Sequence, residues 1–303
     1  MTLKKTVLLS GATGFLGSHL LVALLKKSYN VIILKRTTSD ISRINHLMTE
    51  ITSYDIDMIS LDDVFKKDLI DIVIHTATTY DRIEQNAYDI VKTNVLFSVD
   101  LLKTSLHHNV KVFINTDTFF NVEQGPINYM QAYTLSKKHF LDWAKYFSKF
   151  NIIVRNMKIH HLYGANDNSD KFIPNLKNNL VSNTKDIKLT KGEQLRDFVY
   201  IDDVVSAYIY VINNIDAEIS YIEYVVCTGV KTSVKAFCEE LYIQLNYKYG
   251  IKSNMCFGSK PTDPNEIMDI DNDAASLIAL GWTPKTMIKQ GINKMIHEDG
   301  TYS

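Results

Sequence analysis

The sequence predicts an α/β fold: a doubly wound parallel sheet followed by a smaller, interleaved C-terminal lobe. Three observations predict it. Apolar, β-branched runs recur at Val7 to Leu9, Val31 to Leu34, Ile70 to Ile74, Val110 to Asn115 and Ile152 to Met157, each separated from the next by a segment of helical periodicity. The first run is followed at once by evenly spaced glycines, Gly11, Gly14 and Gly17. Past Gly164 the alternation loosens into the polar, loop-like "ANDNSDKFIPNLKNN".

The first element is the stretch "VLLSGATGFLGSHLLVALL". Its length approaches that of a membrane span, but a span needs roughly 18 uninterrupted apolar residues, and Ser10, Gly11, Thr13, Gly14, Gly17, Ser18 and His19 interrupt this one. Nor does a small-x-small cleavage site follow. The remaining pattern is a strand from Thr6 to Leu9, a glycine turn, and a helix from Leu16 to Lys27. Glycines at this spacing let the chain turn sharply, bring its backbone close to a pyrophosphate, and pack the new helix on the strand. The helix start then offers free N–H groups and a positive dipole end to the phosphates. A plain βα turn is the alternative. Gly11, Thr13, Gly14, Phe15, Leu16 and Gly17 are therefore the candidate dinucleotide cradle.

The second strand ends in "VIILKRTTSD", with Lys35 and Arg36 and no acid before Asp40. An acid there would bond the ribose 2′-OH of NAD, whereas a cation accommodates the 2′-phosphate of NADP. NADP(H) is thus expected in preference to NAD(H), against the plainer reading of two solvated charges. Helices over Asp89 to His107 and Ala132 to Phe150 follow. Residues 1–164 form the expected dinucleotide-binding domain. Residues 165–303 form the substrate lobe, with a segment near 200–230 returning to the first domain.

Bulk properties exclude several classes. With 33 basic against 34 acidic residues, 46% hydrophobic content and a net charge of -1, the 303-residue chain reads as globular, with no support for nucleic-acid or membrane binding. Three cysteines, none in C-x-x-C spacing, point to reduced thiols in a cytoplasmic protein. The doublets His107-His108 and His160-His161 lack a carboxylate or cysteine at ligand spacing, so no metal site is expected.

"YTLSK" carries the chemistry, since Tyr133 and Lys137, four apart on a helix, share a face. With 17 Tyr and 28 Lys, about 1.6 such pairs arise by accident, and Tyr88/Lys92 is a second. Context separates them. Tyr133 opens the helix after the strand ending "INTDT", so Thr116 can meet it at the carboxyl edge of the sheet, whereas Tyr88 has no such partner. A phenol with an ordinary pKa of ~10 needs its anion stabilised to exchange protons near neutrality. Lys137 beside an oxidised nicotinamide would do that, and Thr116 would hydrogen-bond the same substrate oxygen.

With these residues in view the chain resembles, over nearly its whole length, the extended short-chain dehydrogenase/reductases, Rossmann-fold enzymes that include nucleotide-sugar epimerases, dehydratases and ketoreductases. The motifs are "GATGFLG", "DIVIHTATT", Asn94 in "VKTNV", "FINTDTFF", "YTLSK", "HLYG", "KFIP" and "GEQLRDFVYIDDVVSAY". They look most like the CDP-abequose synthase branch, which reduces a 4-keto deoxysugar on a nucleotide diphosphate, as in O-antigen sugar biosynthesis.

The resemblance implies that Tyr133 is the acid/base, Lys137 its orienter and a binder of the nicotinamide ribose, and Thr116 the hydroxyl partner. It places His75, Thr76, Ala77, Thr78 and Asn94 along the cofactor. It assigns Thr118, His161, Lys171, Phe172 and Arg196 to a CDP- or dTDP-linked sugar, with Arg196 clamping the pyrophosphate and a salt bridge to Asp197, Asp202 or Asp203 as the plainer alternative. A homodimer through the helices at Asp89 to His107 and Ala132 to Phe150 is also implied.

Two departures stand out: Lys158 replaces an arginine six residues before the glycine of "YG", and residues 258–268 hold Lys260 where many members carry arginine. Dehydratases of the family carry Thr-Asp-Glu where this chain has Thr116-Asp117-Thr118. A threonine hydroxyl cannot take a proton from carbon, so reduction is expected, with epimerisation or dehydration on a tightly bound NAD(P) as the alternative.

Overall fold

The protein is described from a computed structural model that covers residues 4–80, 87–121 and 130–299. The chain divides into two units, Met1–Ile159 with Val205–Tyr224, and His160–Val204 with Val225–Ser303.

In chain order the first unit contains β1 (Thr6–Ser10), α1 (Phe15–Lys26), β2 (Asn30–Lys35), β3 (Thr52–Asp55), α2 (Leu61–Lys67) and β4 (Ile72–His75). Then come α3 (Ala87–Val91), a π-helical stretch Lys92–Phe97, α4 (Ser98–His107), β5 (Val112–Thr118), α5 (Gln131–Phe147) and β6 (Ile153–Ile159). The chain proceeds through β7 (His161–Tyr163), α6 (Phe172–Val181), β8 (Asp186–Lys188), β9 (Leu195–Arg196) and β10 (Phe198–Tyr200), then α7 (Ile201–Asn213) and β11 (Tyr221–Val226). It ends in β12 (Thr232–Ser233), α8 (Val234–Tyr249), β13 (Asn254–Cys256), α9 (Ala275–Leu280) and α10 (Ile288–Glu298).

The sheet of the first unit has seven strands in the order β11-β6-β5-β4-β1-β2-β3, and the pairs β1–β2, β1–β4, β2–β3, β4–β5 and β5–β6 are parallel. The strand order reverses at β1, which opens the crevice between the carboxyl ends of β1 and β4. Central parallel strands are covered on both faces, which is why their sequences are continuous apolar runs. In register, Leu8 faces Ile32 and Val73, Val73 faces Phe113, and Phe113 faces Val154. These residues join Leu61, Val64 and Phe65 of α2, Leu101 and Leu102 of α4, and Phe140 and Ala144 of α5 in one core.

The five predicted strands are all present. β3 and α2 lack the apolar pattern that reveals the others: β3 reads "TSYD" and is only partly buried. α2 is a short helix set by its N-cap, where the Ser60 hydroxyl accepts from Asp63 N at 3.1 Å.

The second unit holds three two-stranded pairs, β7–β10 and β8–β13 parallel and β9–β12 antiparallel. Its core is aromatic: Phe198 stacks on Phe237 with centroids 4.1 Å apart, and Tyr163 meets Tyr200 edge-on. Among the described residues no helix is long and apolar enough to cross a membrane.

Candidate active site

Gly11 has φ +77°, and a Cβ there would lie 2.5 Å from Ala77 N and 2.7 Å from Thr76 Oγ1. The turn after β1 therefore passes directly against the segment leaving β4. At Gly17 a Cβ would stand 2.0 Å from the Gly11 carbonyl oxygen, so only glycine lets α1 pack on the turn. Gly14 is the N-cap of α1, with no side chain bonding the helix start. The positive end of the α1 dipole points into this turn. This cradle, closed to a Cβ at Gly11 and Gly17 and with no side chain at its cap, fits a dinucleotide pyrophosphate. Thr13 lies in the same turn, half-buried.

At the end of β2, Lys35 is ion-paired with Asp55 of β3, its register partner. Arg36 is exposed, and its amide donates to Ser39 Oγ at 3.0 Å. Asp57 accepts from the Thr37 amide at 2.9 Å. The two cations are thus not equivalent: Asp55 neutralises Lys35, and Arg36 presents its guanidinium at the surface.

Two residues expected along the cofactor have their side chains hydrogen-bonded within the protein. His75 is buried, with Nδ1 2.7 Å from Ser10 Oγ and Nε2 2.7 Å from Ser98 Oγ, among the rings of Phe97, Phe113 and Phe140. Burial pushes its pKa down to about 3, with the Lys137 ammonium acting the same way. Both ring nitrogens are spent on serines, so its role is to tie β1, β4 and α4 together. Asn94 lies in the π-helical stretch, and its amide donates to Thr79 O at 2.8 Å and Ser136 Oγ at 2.9 Å. Its Oδ1 accepts from Thr79 N at 2.7 Å and Thr78 Oγ1 at 3.3 Å. Both N–H groups serve the protein, so Asn94 is a clamp joining the segment after β4 to α5. Thr76 bonds back to Ser10 O through its amide and its hydroxyl, and Ala77 follows against Gly11.

Tyr133 and Lys137 are both buried on α5. Burial drives the Tyr133 phenol well above its ordinary pKa; Tyr80, whose ring lies 5.0 Å away, and Asp117 act the same way, while a hydrogen bond from the Thr118 hydroxyl opposes them. Lys137 Nζ donates to the Thr116 carbonyl at 2.9 Å, and burial pushes its pKa down to about 8 against the pull of Asp117. The structure therefore brings Tyr133, Lys137, Thr116 and Thr118 together, but in an order that spacing alone does not reveal. Thr118 meets the Tyr133 phenol, while the Thr116 hydroxyl lies 2.6 Å from the hydroxyl of Tyr208 on α7, a residue the sequence did not single out. Asp117 accepts from Thr118 N at 2.8 Å and from the amides of Asn121 and Asn156 at 3.0 Å each. Asn156 also donates to Glu223, which pairs with Lys158. Lys158 thus ends a polar ladder across β5, β6 and β11. Tyr88 is exposed, as its solvated-face reading implies.

In the second unit, His161 of β7 packs edge-on to Phe198 of β10, and burial pushes its pKa down to about 3, helped by Arg196, His160 and Lys171. Lys171 caps α6 and pairs with Asp167 at 2.8 Å. Phe172 is half-exposed and shares a groove with Leu176, Ile187, Lys188, Leu189 and Lys260. Arg196 is buried and donates to the carbonyls of Leu195 and Ile267 at 2.7 and 2.6 Å, with Glu266 as its ion-pair partner. That partner replaces the three aspartates nearby in sequence. Asp197 instead accepts from Thr228 and Asn272, and Asp203 accepts from the amides of Lys285 and Thr286. Folding also sets Asp62 beside His107 and His108, one ligand atom from each within 4.8 Å, although Asp62 is engaged by Lys66.

Residues 7–227 match the NAD dependent epimerase/dehydratase family. CDP-abequose synthase of Salmonella typhimurium is 33% identical over 300 residues, covering 97% of this chain and 98% of the relative. Two solved structures share the fold with TM-scores of 0.81. MoeE5 in complex with UDP-glucuronic acid and NAD is 20% identical and covers 96% of this chain and 98% of its own. UDP-glucose 4-epimerase of Thermotoga maritima with UDP-glucose is 21% identical and covers 96% and 97%.

Proposed function

The chain belongs to the NAD dependent epimerase/dehydratase family, and from that premise we propose that it is an NADPH-dependent reductase of the 4-keto group of a CDP- or dTDP-linked deoxysugar, acting in the cytoplasm in cell-surface polysaccharide or O-antigen sugar biosynthesis. Its similarity to CDP-abequose synthase supports the nucleotide-sugar and deoxysugar parts of this reading.

The observation that carries the choice of reaction is the hydroxyl beside Tyr133. Thr118 stands where the family's dehydratases carry glutamate, and the neighbouring Asp117 is turned to Asn121 and Asn156. A threonine is too weak a base to remove a proton from carbon, so elimination lacks its acceptor, while reduction needs none.

The glycine cradle at the start of α1 would hold the pyrophosphate, and Arg36 the 2′-phosphate. When bound, NADPH supplies a hydride. Tyr133 delivers the proton to the carbonyl oxygen; burial keeps its phenol protonated at neutral pH, the state a donor requires. Lys137, charged below about pH 8 and fixed by the Thr116 carbonyl, stabilises the phenolate left behind. Thr116 gives the same substrate oxygen a hydrogen bond. Arg196 would hold the sugar's pyrophosphate as a planar fork once Glu266 releases it. Exposed Leu96, Leu135, Trp143 and Tyr146 support pairing into a homodimer through this helical layer.

The test is incubation with NADPH and a panel of CDP-, dTDP-, GDP- and UDP-linked 4-keto-6-deoxysugars. Stoichiometric loss of NADPH with a CDP- or dTDP-linked member is expected. Turnover of a nucleotide hexose to an epimer or a 4-keto-6-deoxy product without net NADPH loss would establish the epimerase or dehydratase reading instead.

A further inference from the structure

Tyr208 is fully buried on α7, 92 positions from Thr116 in sequence, and the two hydroxyls lie 2.6 Å apart. One proton must occupy that contact. A phenol is the more acidic hydroxyl and an aliphatic alcohol the better acceptor, so the phenol donates. Burial keeps the Tyr208 phenol protonated, outweighing the opposing hydrogen bond with Thr116, and the nearby Asp117 acts with burial. Strand alternation places Thr116 and Thr118 on one face of β5, and Thr118 reaches Tyr133. The Thr116 hydroxyl therefore stands on the face where Tyr133 acts. Its backbone is fixed as well, because its carbonyl accepts from Lys137 at 2.9 Å.

We propose that Tyr208 is a positioning residue: by donating to Thr116 Oγ1 it commits the threonine's own proton to the substrate oxygen that Tyr133 protonates. This rests on the reading of Thr116 as the hydrogen-bond donor to that oxygen. Without the phenol, the Thr116 hydroxyl rotates freely and spends part of its time donating elsewhere. The consequence falls on the transition state, where the oxygen gains charge, rather than on ground-state binding.

The test is a double-mutant cycle with Tyr208→Phe and Thr116→Val, read as kcat and KM. The reaction is NADPH consumption or, should the wild-type enzyme instead form an epimer or dehydrated product, that reaction, since Thr116 serves the same oxygen in each. The wild-type product thus judges the proposed function, and the cycle judges Tyr208. Tyr208→Phe is expected to lower kcat about 5- to 20-fold with KM changed less than about twofold, and to have no further effect in the Thr116→Val background. An unchanged kcat in Tyr208→Phe, an unchanged kcat in Thr116→Val, or multiplicative losses in the double variant would each overturn the proposal. Replacing Tyr208 by 3,5-difluorotyrosine keeps the packing and strengthens the donor, and guards against a folding defect in the phenylalanine variant. It should alter kcat at least about twofold, and an unaltered kcat counts against the proposal.

Discussion

His75 makes the first unit sensitive to mild acid. In the folded protein its ring is held neutral down to about pH 3 between Ser10 and Ser98, whereas in the unfolded chain it takes up a proton near its ordinary pKa of 6.5. The unfolded state therefore binds more protons between these values. Stability is lost as pH falls through 6.5, and the loss levels off near 3. From pH 7 to pH 5 the unfolded chain gains a binding factor of about 25 at this one site, which amounts to about 2 kcal/mol.

Urea unfolding at the two pH values measures the loss. With Trp282→Phe as background, Trp143 of α5 is the sole indole and reports on the unit that contains His75. His75→Gln in the same background removes the titrating ring while keeping a polar group for the serines. The reference protein is expected to lose about 2 kcal/mol more than the variant between pH 7 and pH 5. His161, also held near 3, is present in both proteins and cancels. Parallel pH dependences in the two proteins would refute the reasoning, whatever their absolute stabilities.

Four further outcomes bear on the site. Tyr133→Phe should lower turnover by about 10²-fold or more while leaving cofactor binding nearly intact, and the exposed Tyr88→Phe should do almost nothing; comparable losses would mean the wrong pair. Arg36→Ala should reduce the NADPH-over-NADH ratio of kcat/KM about tenfold or more, and an unchanged ratio would place the 2′-phosphate elsewhere. The rate should decline above about pH 8 as Lys137 loses its proton, and this limb should move to lower pH in Asp117→Asn, because that carboxylate holds the ammonium's pKa up; a limb that stays in place removes Lys137 from the titration. Glu266→Gln should tighten binding of CDP, measured calorimetrically, by about tenfold, since Arg196 loses its competing anion; unchanged or weaker binding would argue against Arg196 as the clamp.

The sequence revealed what local rules impose. Gly11 and Gly17 are visible because steric limits admit nothing else, and Tyr133 with Lys137 because helical spacing aligns them. The partner of Tyr133 was not visible: alternation puts Thr116 and Thr118 on the same face, so no pattern says which one reaches the phenol. Tyr208 and Glu266 were hidden for another reason, since they meet Thr116 and Arg196 across 92 and 70 positions with no periodic signature. His75 and Asn94 sit in recognisable motifs, but whether a polar side chain faces a ligand or the core depends on partners such as Ser98 and Ser136, which only folding assembles. β3 escaped because its edge position lets it remain polar.

The interleaving of the two units constrains how such a chain can be recombined. Exchanging the second unit for that of a relative requires joints at 159/160, 204/205 and 224/225. The second joint falls inside α7 and the third inside β11. A crossover there must preserve the helical phase that delivers Tyr208 to Thr116, and the strand register that delivers Glu223 to Asn156 and Lys158. Wholesale module exchange therefore endangers the cluster of Tyr133, Lys137, Thr116 and Tyr208, even though every residue of that cluster lies in the retained unit. Substitutions in the loops of the second unit carry no such penalty, so under the proposed function point mutation is the easier route to a new sugar.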